Sequence, residues 1–136
     1  MTYEPIRSHA VVIGGSIAGL LTARVLSETF QTVTIVERDA TDSRAAERKG
    51  VPQSPQPHIL LTKGYRILKG FFPDIDADLL AAGAVPIDWG QDFHYFAFGG
   101  WNANTTEETD LKSFSCTRPL LESVVRNQVE RIDNIQ

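Results

Sequence analysis

The stretch His9-Ala-Val-Val-Ile-Gly-Gly-Ser-Ile-Ala-Gly-Leu20 sets the architecture of this chain. Its first five residues form a short apolar run that ends in two glycines, which is typical of a strand covered on both faces in a parallel sheet. From Ser16 onward, apolar residues recur at helical spacing, and the Ser16 hydroxyl stands where it can cap a helix N-terminus. The pattern therefore predicts a strand, a tight turn and a helix that ends near Glu28.

A second β-branched run, Gln31-Thr-Val-Thr-Ile-Val36, follows the predicted helix. A strand, a helix and a second strand in this order predict a β-α-β unit over residues 9–37, with parallel strands and a right-handed crossover. The fold class predicted from this unit is α/β.

Residues 14–19 have the layout of the dinucleotide fingerprint Gly-x-Gly-x-x-Gly, with serine at the middle glycine position. The first glycine permits the tight turn, a small middle residue lets a pyrophosphate approach the backbone, and the last glycine lets the helix pack closely on the sheet. The helix N-terminus also offers free N–H groups and a partial positive charge to the pyrophosphate. The turn residues predicted to bind the cofactor are Gly14, Gly15, Ser16, Ala18 and Gly19.

Glu37 ends the second predicted strand, close to the position that the fingerprint requires of its acidic residue. A carboxylate at this position accepts hydrogen bonds from ribose hydroxyls and repels a 2′-phosphate. FAD or NAD therefore fits the site, and NADP does not. The fingerprint does not separate FAD from NAD, because both present an adenosine diphosphate to it.

The rest of the chain is predicted to form a loop and five regular elements. These are a long charged and proline-rich loop over residues 38–58, a helix over 59–72, a short helix over 76–82, an aromatic-rich strand over 92–98, a half-buried strand over 111–116, and a helix over 118–133.

Four blocks of sequence, in order, resemble the flavin-dependent monooxygenases of the aromatic hydroxylase type, most closely their epoxidase-like and polyketide-tailoring members. The blocks are Val12-Ile-Gly-Gly-Ser-Ile-Ala-Gly-Leu20, Val36-Glu-Arg-Asp39, Lys49-Gly-Val-Pro-Gln53 leading to His58, and Ser115-Cys-Thr-Arg-Pro-Leu-Leu-Glu122. The resemblance implies the amino-terminal portion of a Rossmann-type FAD-binding domain. It also implies that a substrate-binding region begins over residues 84–114, and that the helix over 118–133 returns to the FAD domain.

The resemblance also implies roles for individual residues. Glu37 would hold the adenosine ribose, Arg38 would lie by the adenine, and Arg118 would lie by the flavin side of FAD. The loop that carries Gln53 and leads to His58 would lie beside the isoalloxazine ring. The implied cofactor is FAD, with NAD(P)H as the co-substrate that reduces it, and the implied reaction is hydroxylation or epoxidation of a small organic molecule. No catalytic residue and no metal ligand is assigned.

Two motifs of that family, an Asp-Gly and a later Gly-Asp, do not occur in this sequence. The chain is therefore expected to be truncated, and the missing carboxy-terminal segment, supplied as a separate chain, is one expected partner. Two alternatives stay open beside the monooxygenase: a non-catalytic fragment or subunit that needs a partner chain, and an NAD-dependent dehydrogenase module in which the loop is incidental.

Composition narrows the classes of partner. The 136 residues predict one core, and 17 acidic against 13 basic residues give a net charge of −4, which provides no long-range attraction for nucleic acid or an anionic membrane. The longest apolar stretch, residues 10–23, is too short to span a bilayer. Cys116 is the single cysteine, which excludes an intrachain disulfide and favours a reducing compartment, so a cytoplasmic location is predicted.

Overall fold

The computed structural model describes residues 7–39 and 57–136. Their elements are, in order, β1 (Arg7–Ile13), α1 (Ile17–Leu26), β2 (Phe30–Val36), β3 (Pro57–Leu60), α2 (Thr62–Phe71), α3 (Ile75–Ala81), β4 (Val85–Asp88), β5 (Phe96–Ala97), β6 (Gly100–Trp101), β7 (Lys112–Thr117) and α4 (Arg118–Glu130). Contacts divide the described residues into two compact units, the first holding 7–39 and 118–136 and the second holding Pro57–Thr117. The described chain is therefore mixed α/β, with two units where the length predicted one core.

The first unit contains the predicted β-α-β arrangement. Strands β1 and β2 pair in parallel, in a register that runs from Arg7 opposite Phe30 to Ile13 opposite Val36, and α1 connects them. The prediction of a parallel β-α-β unit is confirmed, but the prediction that the first strand is covered on both faces is wrong for the described residues, because the side chains of Val11 and Ile13 are 57% and 89% exposed.

The residues that follow α4 lie along β2. Val33 donates its N–H to the Asn134 carbonyl at 2.8 Å, and Gln136 donates its N–H to the Val33 carbonyl at 2.9 Å. The bridge between Val33 and Ile135 is parallel. Because β1 occupies one edge of β2, residues 134–136 occupy the other edge, and the spatial order is β1, β2, then 134–136.

The core of the first unit lies between this sheet and its helices. Val12, Ala23 and Val33 form a buried cluster, and α1 packs on α4. The face of α4 that is buried in this unit carries an apolar stripe made of Leu121, Val124, Val125 and Val129. Helix α4 therefore belongs to the same unit as the β-α-β arrangement.

The second unit is built on an antiparallel sheet with the order β3-β7-β4. Helix α2 packs on β7 and on α3. The buried apolar side chains of this unit are Leu60, Tyr65, Leu68, Phe72, Ile75, Leu79, Ala84 and Phe114.

The predicted helix over residues 59–72 is wrong at its beginning. Ile59 and Leu60 belong to β3, where Ile59 pairs with Ser115 of β7, and α2 begins at Thr62. The same pairing places His58 in a strand, although it was predicted in the loop over 38–58. Residues 40–56 of that predicted loop lie outside the described residues.

The predicted strand over residues 92–98 is wrong over most of its length. Only Phe96–Ala97 forms a strand, in a short hairpin with β6. The residues before it are held by the Asn102 side chain, which accepts the Tyr95 N–H and donates to the Phe93 carbonyl, both at 2.7 Å. These side-chain bonds take the place of a strand ladder.

The other predicted elements are found close to their expected bounds. The short helix is Ile75–Ala81, the half-buried strand is Lys112–Thr117, and the last helix ends at Glu130, three residues before its predicted end. Within residues 7–39 and 57–136, no helix is both long and apolar enough to cross a lipid bilayer.

Candidate functional site

The glycine turn, defined as residues 14–19, joins the end of β1 to the start of α1. Gly14 has a φ of 101°, which side-chain-bearing L residues rarely adopt. Its N–H donates to the Val36 carbonyl at 2.8 Å, so the turn is tied to the end of β2. The tight turn predicted for Gly14 is therefore present.

Gly19 is the point of closest approach between α1 and the turn. A Cβ added to Gly19 would lie 1.8 Å from the Gly14 carbonyl oxygen and 2.9 Å from the Gly14 carbonyl carbon. Both atoms belong to the backbone and cannot rotate away. Only glycine fits at this position in the observed packing, as the fingerprint predicts.

Ser16 is the N-cap residue of α1, with extended backbone angles. The predicted N-cap position is confirmed, but the Ser16 side chain makes no cap bond to any described residue. The first turn of α1, all of which is described, contains no acidic residue. Ala18 is exposed in the same turn.

The Glu37 carboxylate lies against the glycine turn. One of its oxygens accepts the Gly15 N–H at 2.7 Å, and the other accepts the Asp39 N–H at 3.0 Å. A Cβ added to Gly15 would lie 3.1 Å from the Glu37 Cβ, which is tighter than most contacts in proteins. The structure therefore brings Gly14, Gly15, Gly19 and Glu37 together at one end of the parallel sheet.

Two charged side chains of α4 join this site, and the sequence reasoning missed their role. Arg126 donates to the Gly15 carbonyl and pairs with Glu122 at 3.3 Å. Both side chains are nearly buried, with exposed fractions of 11% for Arg126 and 8% for Glu122. In the sequence they appear only as a helix-supporting pair four residues apart. Their positions next to the apolar stripe of α4 are the feature of the sequence that could have indicated that these charged side chains are buried.

The remaining residues predicted to bind the cofactor differ in their exposure and in the part of the structure to which they belong. Arg38 follows Glu37, and its side chain is 79% exposed with Nε 3.8 Å from an Asp39 oxygen. Arg118 begins α4, and its Nε is buried without a hydrogen-bond partner in the described part of the chain. His58 belongs to the second unit, and Gln53 lies outside the described residues.

His58 lies directly opposite Cys116 on neighbouring antiparallel strands. Directly opposite side chains share one face of a sheet. Burial raises the pKa of the Cys116 thiol, which disfavours a reactive thiolate. Among the described residues, no group of three or more His, Cys, Asp and Glu side chains is placed to hold a metal ion.

The second unit has an open cavity of about 360 Å³ beside Asp88. The buried Asp88 carboxylate accepts hydrogen bonds from the N–H groups of Gly90 and Thr109 at 2.9 and 2.7 Å, and from the Lys112 ammonium at 2.9 Å. Burial tends to raise the pKa of Asp88, but the hydrogen bonds from Thr109, Lys112 and Gly90 outweigh it and hold the pKa well below its ordinary value. Because Gly90, Thr109 and Lys112 all donate hydrogen bonds to this carboxylate, we assign Asp88 a structural role.

No family model matches the chain. A curated protein, Protein Rv3254 from Mycobacterium tuberculosis, is 37% identical to it over 132 residues, which is 96% of this chain. The chain spans 28% of the length of that relative. The name of the relative states no activity, so the similarity extends over nearly the whole chain without assigning a reaction to it.

Proposed function

We propose that this chain binds FAD through the glycine turn and Glu37, as the FAD-binding portion of a flavin-dependent monooxygenase. One observation carries the proposal. The Glu37 carboxylate accepts the Gly15 N–H at 2.7 Å, at the N-terminus of the helix that connects two parallel strands. A ribose-binding acid and a diphosphate-binding helix start therefore lie side by side, which is the arrangement that a dinucleotide site requires.

The order of the strands supports a Rossmann-type sheet. In doubly wound sheets of this type, the first strand pairs with the second, and the third pairs with the far edge of the second. The order of β1, β2 and residues 134–136 matches that half of the sheet. In such sheets ligands bind outside the carboxyl ends of the strands, and the glycine turn lies at the carboxyl end of β1.

The turn suits a diphosphate for steric and electrostatic reasons. Gly14 has no side chain and Ser16 has only a small one, so little side-chain volume stands where a phosphate would approach the backbone. The start of α1 has no side-chain cap bond to a described residue and no acidic residue in its first turn, so its N–H groups are placed to donate to an anion. The Ser16 hydroxyl, which makes no cap bond to a described residue, is a further donor for a phosphate oxygen.

Glu37 suits the adenosine ribose. Its carboxylate already accepts the Gly15 and Asp39 N–H groups at the end of β2, and a ribose hydroxyl is a donor of the kind that a carboxylate accepts. Its negative charge disfavours a 2′-phosphate, which selects FAD or NAD over NADP.

The side chain of Arg118 is evidence for a ligand site at the start of α4. Its Nε is a buried donor without a partner in the described residues, and buried donors are nearly always hydrogen-bonded. A cofactor oxygen would satisfy it, which fits the flavin-side position that the resemblance implies. When bound, FAD supplies the redox chemistry with NAD(P)H and dioxygen, while the residues named here bind and orient it.

The proposal is tested by titrating the chain with FAD and recording the flavin absorbance spectrum after gel filtration. We expect the wild type to retain flavin with a shifted spectrum, and Glu37→Arg to bind FAD more weakly by about a hundredfold, because it loses a charged acceptor. Glu130→Arg is the matched control, since it makes the same charge reversal at an exposed carboxylate of the same unit and should retain flavin.

Equal retention by Glu37→Arg and the wild type would remove the assignment of the site. Retention of NAD but not of FAD by the wild type would instead favour the dehydrogenase alternative.

A further inference from the structure

We infer that Arg126, held by Glu122, is a positioning residue that aims the Ser16 N–H at the diphosphate. This inference rests on the proposed nucleotide function and extends it to a residue pair on α4. Arg126 acts through the backbone of the glycine turn and does not itself bind the ligand.

Gly15 is held from both sides. Its N–H donates to Glu37, which follows β2, and its carbonyl accepts from Arg126 of α4. Gly14 is fixed in addition by its bond to the Val36 carbonyl. The turn therefore depends on side chains of two other elements and not only on its own conformation.

The carbonyl bond determines the direction of the next N–H. A trans peptide is planar, and its C=O and N–H point in opposite directions. Within the described residues the structure has no cis peptide bond, so the Gly15 carbonyl and the Ser16 N–H are opposed. Because Arg126 holds the carbonyl towards α4, the Ser16 N–H points away from α4.

The Glu122–Arg126 pair orients the Gly15 carbonyl but adds little net charge to the glycine turn. The two side chains carry opposite charges 3.3 Å apart and are both nearly buried, so their charges largely cancel at the turn. A guanidinium has five N–H donors in a rigid fork, which lets Arg126 pair with Glu122 and also hold the Gly15 carbonyl. Removing both charges together should therefore leave the local potential similar while releasing the carbonyl.

The test compares ADP with adenosine as ligands of the 136-residue chain, by titration calorimetry or by NMR. The double variant Glu122→Gln/Arg126→Gln avoids leaving one buried charge unpaired. We expect it to bind ADP about tenfold to a hundredfold more weakly than the wild type, and adenosine within about threefold of the wild type, because only ADP uses the phosphate-facing N–H. The control Arg66→Gln/Asp110→Asn removes an ion pair of the second unit and should leave both affinities unchanged.

The outcomes separate the inference from the proposed function. A wild type that binds neither ligand overturns both. If the double variant binds ADP as tightly as the wild type does, the inference alone is overturned. The inference is also overturned if the double variant loses equal affinity for ADP and for adenosine, because that result would indicate general disruption of the site.

Arg126→Lys keeps the test valid if the double variant does not fold, as judged by circular dichroism. Lysine keeps a positive charge beside Glu122 but lacks the planar fork of donors, so we expect Arg126→Lys to bind ADP more weakly than the wild type and to bind adenosine equally well. Equal ADP affinity of Arg126→Lys and the wild type would count against the inference.

Discussion

Gly19 has the clearest steric constraint in the site, because a methyl group there would lie 1.8 Å from the Gly14 carbonyl oxygen. We predict that Gly19→Ala lowers the free energy of unfolding by about 1–3 kcal/mol, as for overpacked cores, and weakens nucleotide binding by displacing the start of α1. Urea unfolding of the chain measures the first effect.

Gly70→Ala is the matched control for this substitution. Gly70 lies within α2, and an added Cβ would meet no atom within 4 Å. Alanine is favoured over glycine by about 1 kcal/mol in a helix interior and by less in the last turn, where Gly70 lies, so Gly70→Ala should not destabilise the chain. If Gly19→Ala unfolds at the same urea concentration as the wild type, the close approach of helix and turn is not present.

The sequence predicts the residues whose role is set by the backbone conformation of their own segment. Gly14 and Gly19 follow from the turn geometry that the fingerprint demands, and Glu37 follows from its place after the second strand. Arg126 could not be predicted in the same way, because it contacts Gly15 from 111 positions away. A contact of that kind depends on how α4 packs, which the local pattern does not contain.

Among the elements, those with a strong local period were predicted best. The β-branched runs of β1 and β2 and the apolar stripe of α4 each identify their element without reference to distant residues. Ile59 and Leu60 of β3 are predicted as helix because they lie directly before α2, and only their pairing with β7 makes them part of a strand. Strand β4 contains Pro86, which is tolerated because β4 lies at the edge of its sheet.

The loop that begins at the end of β4 gives the second unit a predicted dependence on pH. The pKa of Asp88 is lowered in the folded chain, so its stabilising effect is complete above its ordinary pKa of about 3.9 and is lost as the pH falls towards the folded value. We predict that Asp88→Asn is less stable than the wild type at pH 7, and that the difference shrinks below about pH 4. Thermal unfolding across this pH range measures the difference.

Asp74→Asn serves as the control, because Asp74 is exposed and makes no capping hydrogen bond to any described residue. The difference in unfolding temperature between the wild type and Asp88→Asn should shrink between pH 7 and about pH 3. A constant difference over this range would contradict the stabilising role of the ionised Asp88 carboxylate.

Considered as a whole, the molecule is divided in a way that its length did not predict. The described chain leaves the first unit after β2, forms the second unit over Pro57–Thr117, and supplies α4 to the first unit again. Each unit has buried apolar side chains of its own. The nucleotide site that we propose uses residues of the first unit for its diphosphate and ribose contacts.

The most direct measurement is a ¹⁵N-edited NMR titration of the 136-residue chain with ADP. ADP carries the part of FAD that the glycine turn and Glu37 would contact, and it needs no flavin contacts to bind. We predict saturable shifts in the amide signals of Gly15, Ser16, Ile17 and Glu37, and little change in signals from Pro57–Thr117. Shifts confined to Pro57–Thr117, or no shift in residues 14–19 at millimolar ADP, would contradict the account.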